Sequence, residues 1–380
     1  MIHINNKENC CGCNACVQVC PNNCIFIKED NEGFLYPYVD ESNCVGCHLC
    51  EKVCPIINIE SSTFPLKVYA VKNKDNVVRM NSSSGGVFSL LAEKVIQNKG
   101  VIFGARFNEK WEVIHDYTET QEGLIAFRGS KYVQSNIGEC FIKAKSFLRD
   151  GRYVLFSGTP CQIAGLKKFL RKDYSNLLTV ECLCHGVPSP MVWRRYIEER
   201  SKQRKITSII FRDKRNSWER YNFTMQFDNG IEETERAIKN IFMKGFLADL
   251  YLRPSCHKCP VKRGKSQSDL TIADFWGINN VFPEMNDDKG ISLVLINSNK
   301  GKNIFLSLDL FSKETDVISA QQMNAGFTES IPYHKNRKMF FENIHTCTSL
   351  QSLILECTKK TLQQRFLNIV HRIEKKILKR

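Results

Sequence analysis

The sequence lacks the features that would carry the chain into or across a membrane. The longest purely apolar runs, such as the one within residues 291–297, are far shorter than the ~18 residues that a membrane-spanning helix needs. The first ten residues contain no basic segment followed by an apolar stretch, so no secretory signal is predicted. Neither GxGxxG nor GxxxxGK(S/T) occurs, which argues against a Rossmann or P-loop nucleotide site. We therefore expect a cytoplasmic protein.

Composition and charge describe a globular chain with a basic tail. Its 380 residues are enough for two or three domains, and the hydrophobic content of 42%, the charged content of 25% and the mean hydropathy of −0.30 are ordinary. Lysine and arginine exceed aspartate and glutamate by 54 − 40 = 14. Residues 358–380 hold eight basic residues and one acid, which is 8 − 1 = +7. Because half of the excess lies in this tail, we expect no nucleic-acid binding.

Cysteine, in contrast, is abundant, with eighteen residues. A disulfide framework and metal ligation both explain such a number, and the missing secretory signal together with the regular spacing favours metal. Two runs near the N-terminus read Cys-x2-Cys-x2-Cys-x3-Cys-Pro, as in bacterial ferredoxins, where three cysteines bind one 4Fe-4S cluster and the fourth binds the other. Zinc, with paired CxxC units, does not explain two runs of four. The rule predicts a first set of ligands, Cys10, Cys13, Cys16 and Cys54, and a second set, Cys44, Cys47, Cys50 and Cys20.

Two further cysteines in this region fall outside the pattern. We expect Cys11 and Cys24 to be packing residues, Cys24 at a place where a small side chain would lie against the cluster. Between the two runs, apolar and polar residues alternate around Asn31-Glu32-Gly33. This alternation predicts a β-hairpin.

From residue 68 onward, strand-like and helix-like segments alternate. Alternation of this kind predicts an α/β core with a mostly parallel central sheet. Residues 206–212 and 221–227, followed by Asp228-Asn229-Gly230, predict antiparallel hairpins. The strands are predicted at 68–73, 100–107, 153–158 and 177–184, and the helices at 86–98, 137–149 and 161–170.

Four more cysteines come together on this prediction. Cys161 follows one predicted strand and Cys184 ends the next, and parallel strands share a carboxyl edge where α/β sheets build their sites. A loop adds Cys256 and Cys259 in a CxxCP pattern. Four thiolates suit a third 4Fe-4S cluster or a zinc ion, and spacing alone leaves both open. Cys182 competes with Cys184 but lies inside the strand.

Three polar stretches could bind an anion. Residues 81–94 place three serines and two glycines before a helix, which leaves backbone N–H groups for a phosphate, although a serine cap explains the same pattern. Lys131 could reach a phosphate or be solvated. The basic residues 211–220 could bind an anionic substrate or form the solvated end of a hairpin.

Several of these motifs occur in an order that resembles a known family. The chain resembles the coenzyme F420 hydrogenase/dehydrogenase beta-subunit family, with a dicluster ferredoxin module in front, over nearly all of residues 1–345. The motifs are SSSGGVFSLLA (82–92), GSKYVQS (129–135), VLFSGTPCQIAGLKKFL (154–170), CHGVPSP (184–190), LRPSCHKC (252–259) and SDLTIADFWG (268–277).

The resemblance implies an FAD-binding core that has its own 4Fe-4S cluster and exchanges electrons with a ferredoxin-type relay. It favours Cys184 over Cys182 as a ligand. Asp274, in ADFWG, has either a structural or a catalytic role on this reading. The implied ligands of the third cluster, the third set, are Cys161, Cys184, Cys256 and Cys259. The implied FAD contacts are Ser84, Gly85, Gly86 and Lys131.

The predicted function is that of an iron–sulfur flavoprotein oxidoreductase. Electrons would pass from a ferredoxin or another low-potential donor through the clusters to FAD and then to an organic substrate, which could be anionic. Members of the family reduce coenzyme F420 or tetrapyrroles, and many bacterial ones accompany polysaccharide-biosynthesis genes; GTPCQ and CHGVPSP resemble this last group. A non-catalytic electron-transfer subunit and an F420-reducing or F420-oxidising subunit are the alternatives.

Three domains are predicted. They are a dicluster ferredoxin domain at 1–60, an FAD and iron–sulfur domain at 66–345, and a basic amphipathic helical tail at 346–380. The apolar stripe of the tail, within residues 362–377, could pack on the core or contact an anionic inner membrane face.

Overall fold

The computed structural model describes residues 1–321 and 324–359. Its strands are β1 (Ile25–Glu29), β2 (Leu35–Val39), β3 (Lys67–Asn73), β4 (Val101–Phe107), β5 (Val113–Thr118), β6 (Val154–Gly158), β7 (Leu177–Cys182), β8 (Ile206–Asp213), β9 (Asn222–Phe227), β10 (Glu232–Arg236), β11 (Leu270–Asp274), β12 (Ser292–Ile296) and β13 (Leu310–Thr315). Its α-helices are α1 (Ala15–Val19), α2 (Leu49–Lys52), α3 (Asn76–Met80), α4 (Val87–Gln97), α5 (Gln121–Leu124), α6 (Cys140–Arg149), α7 (Pro160–Leu170), α8 (Pro190–Ser201), α9 (Ile241–Leu247), α10 (Ile278–Val281), α11 (Asn299–Leu306), α12 (Val317–Gln321), α13 (Arg337–Asn343) and α14 (Leu350–Cys357).

The N-terminal module contains one backbone pattern twice. Each copy has a 3-10 turn, a glycine in the left-handed region, a second left-handed residue and then a short helix, α1 or α2. Gly12 (φ 73°) and Asn14 (φ 60°) of the first copy correspond to Gly46 (φ 65°) and His48 (φ 57°) of the second. Left-handed residues in such loops turn backbone N–H groups toward a common point, which favours an anionic ligand. The two copies are therefore built as equivalent ligand loops.

The hairpin of β1 and β2 joins the two copies and docks the module on the rest of the chain. Its strands pair antiparallel, as predicted. At its tip, Gly33 (φ 82°) lies so close to α8 that a Cβ there would be 2.2 Å from the Cβ of Met191. The neighbouring Glu32 carboxylate accepts a hydrogen bond of 2.9 Å from Nη1 of Arg337. The hairpin tip therefore has room for no residue larger than glycine, and the ion pair between Glu32 and Arg337 holds it in place.

An eight-stranded sheet forms the centre of the main domain. Its strand order is β13-β3-β12-β11-β7-β6-β4-β5. The strands β11, β7, β6 and β4 pair in parallel, and the other pairs are antiparallel. Five strands, β3, β4, β6, β7 and β11, consequently run in one direction. The sheet is mostly parallel in this sense, as predicted, with antiparallel strands at β12 and at both edges.

Helices cover both faces of this sheet. Successive residues of β6 point to opposite faces, as strand geometry requires. Leu155 lies in a core with Leu91 of α4, whereas Phe156 lies in another with Phe141 of α6 and Leu166 of α7. Burial on both faces explains why β6 reads as a continuous apolar run in the sequence.

A three-stranded antiparallel sheet, β10-β9-β8, lies beside the main sheet. It shares a core with α8, α9, α13 and α14, to which Trp193, Phe242 and Ile354 contribute. Residues 346–359 of the predicted tail domain are thus in part packed on this core. The predicted amphipathic stripe at 362–377 lies outside the described residues. Within the described ranges, no helix has the length and apolar character that crossing a membrane requires.

Candidate functional site

The four cysteines of the first set lie together in the interior. Cys13, Cys16 and Cys54 are buried and Cys10 is half-buried. Burial, followed by the nearby thiols of Cys10 and Cys54, raises the pKa of Cys16. Thiolates gathered at such a place repel one another unless bound metal compensates their charge. The donors and their grouping fit a 4Fe-4S cluster.

The second set lines a cavity at the far end of the module. All four cysteines of the set border this small cavity together with Cys24. Cys47 is exposed and Cys44 is half-buried. Sγ of Cys24 lies 3.3 Å from Sγ of Cys20, next to the cavity. This arrangement fits a cluster close to the protein surface.

Three chain segments bring the third set together. Cys161 lies in the first turn of α7, and Oγ1 of the N-cap residue Thr159 is 3.2 Å from its Sγ. Cys184 follows β7, and burial followed by the Cys256 thiol raises its pKa. Burial also raises the pKa of Cys256 to about 12 and that of Cys259 to about 11. The Cys161 thiol contributes to the rise of both pKa values. The four half-buried thiols therefore share one site.

Backbone groups and a lysine fix the loops of this site. The N–H of Val187 donates to Sγ of Cys256 at 3.4 Å, and the N–H of Arg253 donates to the carbonyl of Val187 at 3.0 Å. Nζ of Lys262 donates to the carbonyl of Cys184 at 2.6 Å. Donors and positive charges of this kind favour a site that holds thiolates.

Cys182, the competing ligand, has different neighbours. The carboxylate of Glu181 and the side chain of Lys131 lie near its thiol. Its side chain reaches solvent at the end of β7.

Across residues 1–321 and 324–359, no three histidine, cysteine, aspartate or glutamate side chains converge as ligands of a single metal ion.

Cys11 lies between the first set and the third set. The pKa of the Cys11 thiol lies well above its ordinary value. The Cys13 thiol and burial raise this pKa, and the Cys161 thiol lowers it by less. On α7, Gly165 lies so close to the module that a Cβ there would be 2.9 Å from Sγ of Cys13. Both thiols beside Cys11 are predicted ligands, one from each set. The first and third sets are therefore neighbours.

The carboxyl edge of the main sheet adjoins the third set, because Cys161 and Cys184 directly follow β6 and β7. Lys131 lies at this edge, near Cys182. Its Nζ donates to the carbonyls of Arg128 and Gly129 at 3.0 and 3.1 Å. Burial lowers the pKa of Lys131 to about 7. A half-buried amine of this kind can change its protonation state near neutral pH.

The serine–glycine loop divides into two parts. Oγ of Ser84 donates to the carbonyl of Ile291 at 2.8 Å, and the N–H of Gly85 donates to Oγ of Ser292 at 2.9 Å. A Cβ on Gly85 would lie 2.3 Å from the carbonyl oxygen of Val71. Contacts within the protein therefore account for Ser84 and Gly85.

Gly86 and Asn73 form the other part. Gly86 (φ 83°) is the N-cap of the eleven-residue helix α4. Nδ2 of Asn73 is buried without a hydrogen-bond partner in the described part of the chain, and it lies 3.4 Å from the place of a Cβ on Gly86. An unpaired donor beside the first turn of a helix fits an anionic group.

Asp274 attaches the three-stranded sheet to the carboxyl edge. Its carboxylate accepts from both Nη atoms of Arg212 at 2.8 and 3.1 Å and from Nε1 of Trp218 at 2.9 Å. Nζ of Lys214 donates to three backbone carbonyls. Arg212 and Lys214 of the basic stretch 211–220 are therefore buried and paired within the protein, whereas Arg215 and Arg220 are exposed, as predicted for a solvated hairpin end.

Sequence reasoning missed two residues of the site. Arg253 is buried and reaches from the third set to Cys10, whereas Asn73 lies at the end of β3. Arg253 lies three residues before Cys256, and this position could have indicated a positive charge beside the cluster ligands. For Asn73 the signal was its place where a strand of an α/β sheet ends.

The fold and the grouped cysteines define an iron–sulfur electron-transfer protein. Residues 9–57 match the 4Fe-4S dicluster domain, and residues 151–323 match the C terminus of the coenzyme F420 hydrogenase/dehydrogenase beta subunit. The chain thus joins a segment that matches a dicluster domain to a segment that matches the C terminus of this beta subunit.

One solved structure similar to this chain is a chain of the F420-reducing NiFe hydrogenase complex from Methanosarcina barkeri. The two chains share 16% sequence identity, with a TM-score of 0.48, over 76% of this chain and 97% of that chain. No curated protein matches the chain.

Proposed function

We propose that this chain is an iron–sulfur flavoprotein oxidoreductase in which the three cysteine sets act in series. The observation that carries this proposal is the junction at Cys11, which packs in one core with Cys13 of the first set and Cys161 of the third. Neighbouring ligands keep two clusters close, and electron transfer between them then needs no motion of the module.

The cysteine sets differ in their exposure to solvent, and this difference indicates where electrons would enter the series. The second set lies at the surface, with Cys47 exposed, so a ferredoxin or another low-potential donor would dock there. The first set lies between the second and the third, because Cys13 packs against Gly165 of α7. Electrons that enter at the second set would cross the first set, reach the third and arrive at the carboxyl edge of the sheet.

Residues at the carboxyl edge would hold FAD. Asn73 and Gly86, with the first turn of α4, would bind its diphosphate. Lys131 would hold or release a proton at Nζ, since its pKa is lowered to about 7. When bound, FAD would exchange single electrons with the iron–sulfur relay and an electron pair with an organic substrate.

The substrate and the pathway rest on the family resemblance. The ammonium of Lys131 favours an organic substrate with an anionic group. A role in polysaccharide biosynthesis, the use of coenzyme F420, a cytoplasmic location and a contact of the C-terminal tail with the inner membrane face stay predictions.

The test is the iron and flavin content of the anaerobically purified protein and two variants. The proposal expects about twelve iron atoms and one FAD per chain, from three four-iron clusters and one flavin site. Cys184→Ser should lose about four iron atoms, since it removes a ligand of the third set. Cys182→Ser is the matched control, two residues away on the same segment, and should keep all twelve.

Two results would contradict the proposal. Eight iron atoms without flavin in the unmodified chain would leave a non-catalytic electron-transfer subunit. Loss of iron from Cys182→Ser, with full iron in Cys184→Ser, would mean that the third set has been assigned wrongly.

A further inference from the structure

Arg253 connects the third set to the first. Its backbone belongs to the segment that carries Cys256, whereas its side chain is 0% exposed and extends into the N-terminal module. Nε donates to the carbonyl of Cys10 at 2.8 Å, and Nη2 lies 3.5 Å from Sγ of Cys10. Nη2 also donates to the carbonyl of Leu35 at 3.0 Å, and Nη1 donates to Oε1 of Gln134 at 2.9 Å. One guanidinium therefore spans the junction.

The charge of Arg253 has no carboxylate partner among the described residues. Carbonyls, an amide and a thiol accept its hydrogen bonds. The rings of Tyr36 and Phe34 lie 4.3 and 5.4 Å from its Cζ and shield it from water. A buried cation is costly unless an anion compensates it. The thiolates of Cys10 and Cys256, and a cluster held by them, are the anions that the position of Arg253 offers.

The shape of the module agrees with this role. A Cβ on Gly12 would lie 2.9 Å from Nη1 of Arg253 and 2.8 Å from Nε2 of Gln134. The loop of the first set therefore leaves the space that the guanidinium occupies. A cluster with four thiolate ligands is anionic and gains negative charge on reduction, so a fixed cation beside it stabilises the reduced form.

We propose that Arg253 is a positioning residue that raises the reduction potential of the cluster bound by the first set and holds this cluster beside the third set. The proposal deepens the relay described above and rests on it. Electrons that enter at the second set would be drawn inward, because the first set carries a buried positive charge and the second set lies at the surface.

The test is a potentiometric titration of the anaerobic holoprotein, followed by electron paramagnetic resonance. The signal of the first-set cluster is identified as the one lost in Cys16→Ala. Arg253→Gln should lower the potential of this cluster so that the equilibrium for its reduction shifts about tenfold, which corresponds to about 59 mV for one electron. Arg253→Lys keeps the charge and should shift the potential less.

Lys258→Gln is the matched control for the loss of one positive charge at the same junction. Lys258 binds Glu8 of the module at 2.7 Å, but its side chain is 69% exposed and therefore screened by solvent. This variant should leave the potential of the first-set cluster unchanged. An equal shift in Lys258→Gln and Arg253→Gln would contradict a specific role of Arg253.

A second variant covers the case in which Arg253→Gln does not retain its clusters. Gln134→Glu is nearly isosteric and places a carboxylate next to Nη1 of Arg253, at the loss of one hydrogen bond to Cys11. It neutralises the charge while the arginine stays in place, and it should lower the potential in the same direction. An unchanged potential in Gln134→Glu with full iron content would overturn the inference.

Iron content separates this inference from the relay. Eight iron atoms in the unmodified chain, with a lowered potential in Gln134→Glu, would refute the third cluster and retain the effect of Arg253 on the first. Twelve iron atoms without any shift in potential would retain the relay and refute the role of Arg253.

Discussion

The two ligand loops of the N-terminal module share a backbone and differ in their surroundings. Gly12 and Gly46 both lie in the left-handed region. A Cβ on Gly12 would meet Gln134 and Arg253 within 3.0 Å, whereas a Cβ on Gly46 would meet nothing within 4 Å. The first loop therefore needs glycine for its conformation and for space, and the second needs it for its conformation alone.

This difference teaches which loop faces inward. A local sequence pattern determines how a loop wraps its ligand, and it does so equally in both copies. The direction of the relay depends instead on the neighbours, because only the first loop packs against α7 and Arg253 in the described structure. The first loop therefore contacts the main domain, and the second loop lies at the surface.

The largest expected effect concerns how the free energy of unfolding depends on pH at His115, which lies next to the inner loop. Asn14 contacts Asn136, whose carbonyl accepts a hydrogen bond from the backbone N–H of His115 at 2.8 Å. Burial lowers the pKa of His115 to about 4 from its ordinary 6.5. Between these values the unfolded chain binds a proton that the folded chain does not, so the free energy of unfolding should fall as the pH falls from 6.5 to 4, by about 3 kcal/mol.

Anaerobic chemical unfolding at several pH values measures this fall. His115→Gln keeps a donor for the carbonyl of Ser157, which Nε2 of His115 contacts at 3.0 Å, and should flatten the pH dependence. His3→Gln, at an exposed position of the N-terminal module, is the control and should leave the dependence as in the unmodified chain. Equal behaviour of the two variants would remove the contrast between the inner and outer surroundings.

A smaller effect separates the two glycines themselves. Gly12→Ala and Gly46→Ala should each cost about 1–2 kcal/mol of unfolding free energy, because alanine is strained in the left-handed region. Gly12→Ala should cost about 1–3 kcal/mol more, since its Cβ would be forced against Gln134 and Arg253. Denaturant midpoints of the two anaerobic holoproteins measure the difference, and equal costs would show that the inner loop has free space.

Much of the fold could be predicted from the sequence because local patterns carried it. A buried strand such as β6 appears as an apolar run, and helices α4, α6 and α7 lie close to their predicted positions. The two cysteine runs predicted the first and second sets through their spacing, and the order of strands placed Cys161 and Cys184 at a common edge. These features depend on short segments of the chain.

The junction could not be predicted because it depends on contacts between distant segments. Cys11 appeared as a packing residue, and its place between Cys13 and Cys161 follows from how the module docks on α7. Arg253 and Gln134 meet the module from two loops of the main domain. Likewise, the burial of Arg212 results from its ion pair with Asp274 across two sheets, which charge content alone does not reveal.

The most direct test of the relay is magnetic coupling between the clusters of the first and third sets. In the fully reduced protein at low temperature, paramagnetic resonance should show lines of the first-set cluster that are broadened by the third-set cluster. Cys184→Ser should sharpen these lines, and Cys182→Ser should leave them broad. If Cys184→Ser merely removes one independent signal and leaves the remaining lines unchanged, the two sets are not neighbours and the relay through Cys11 is wrong.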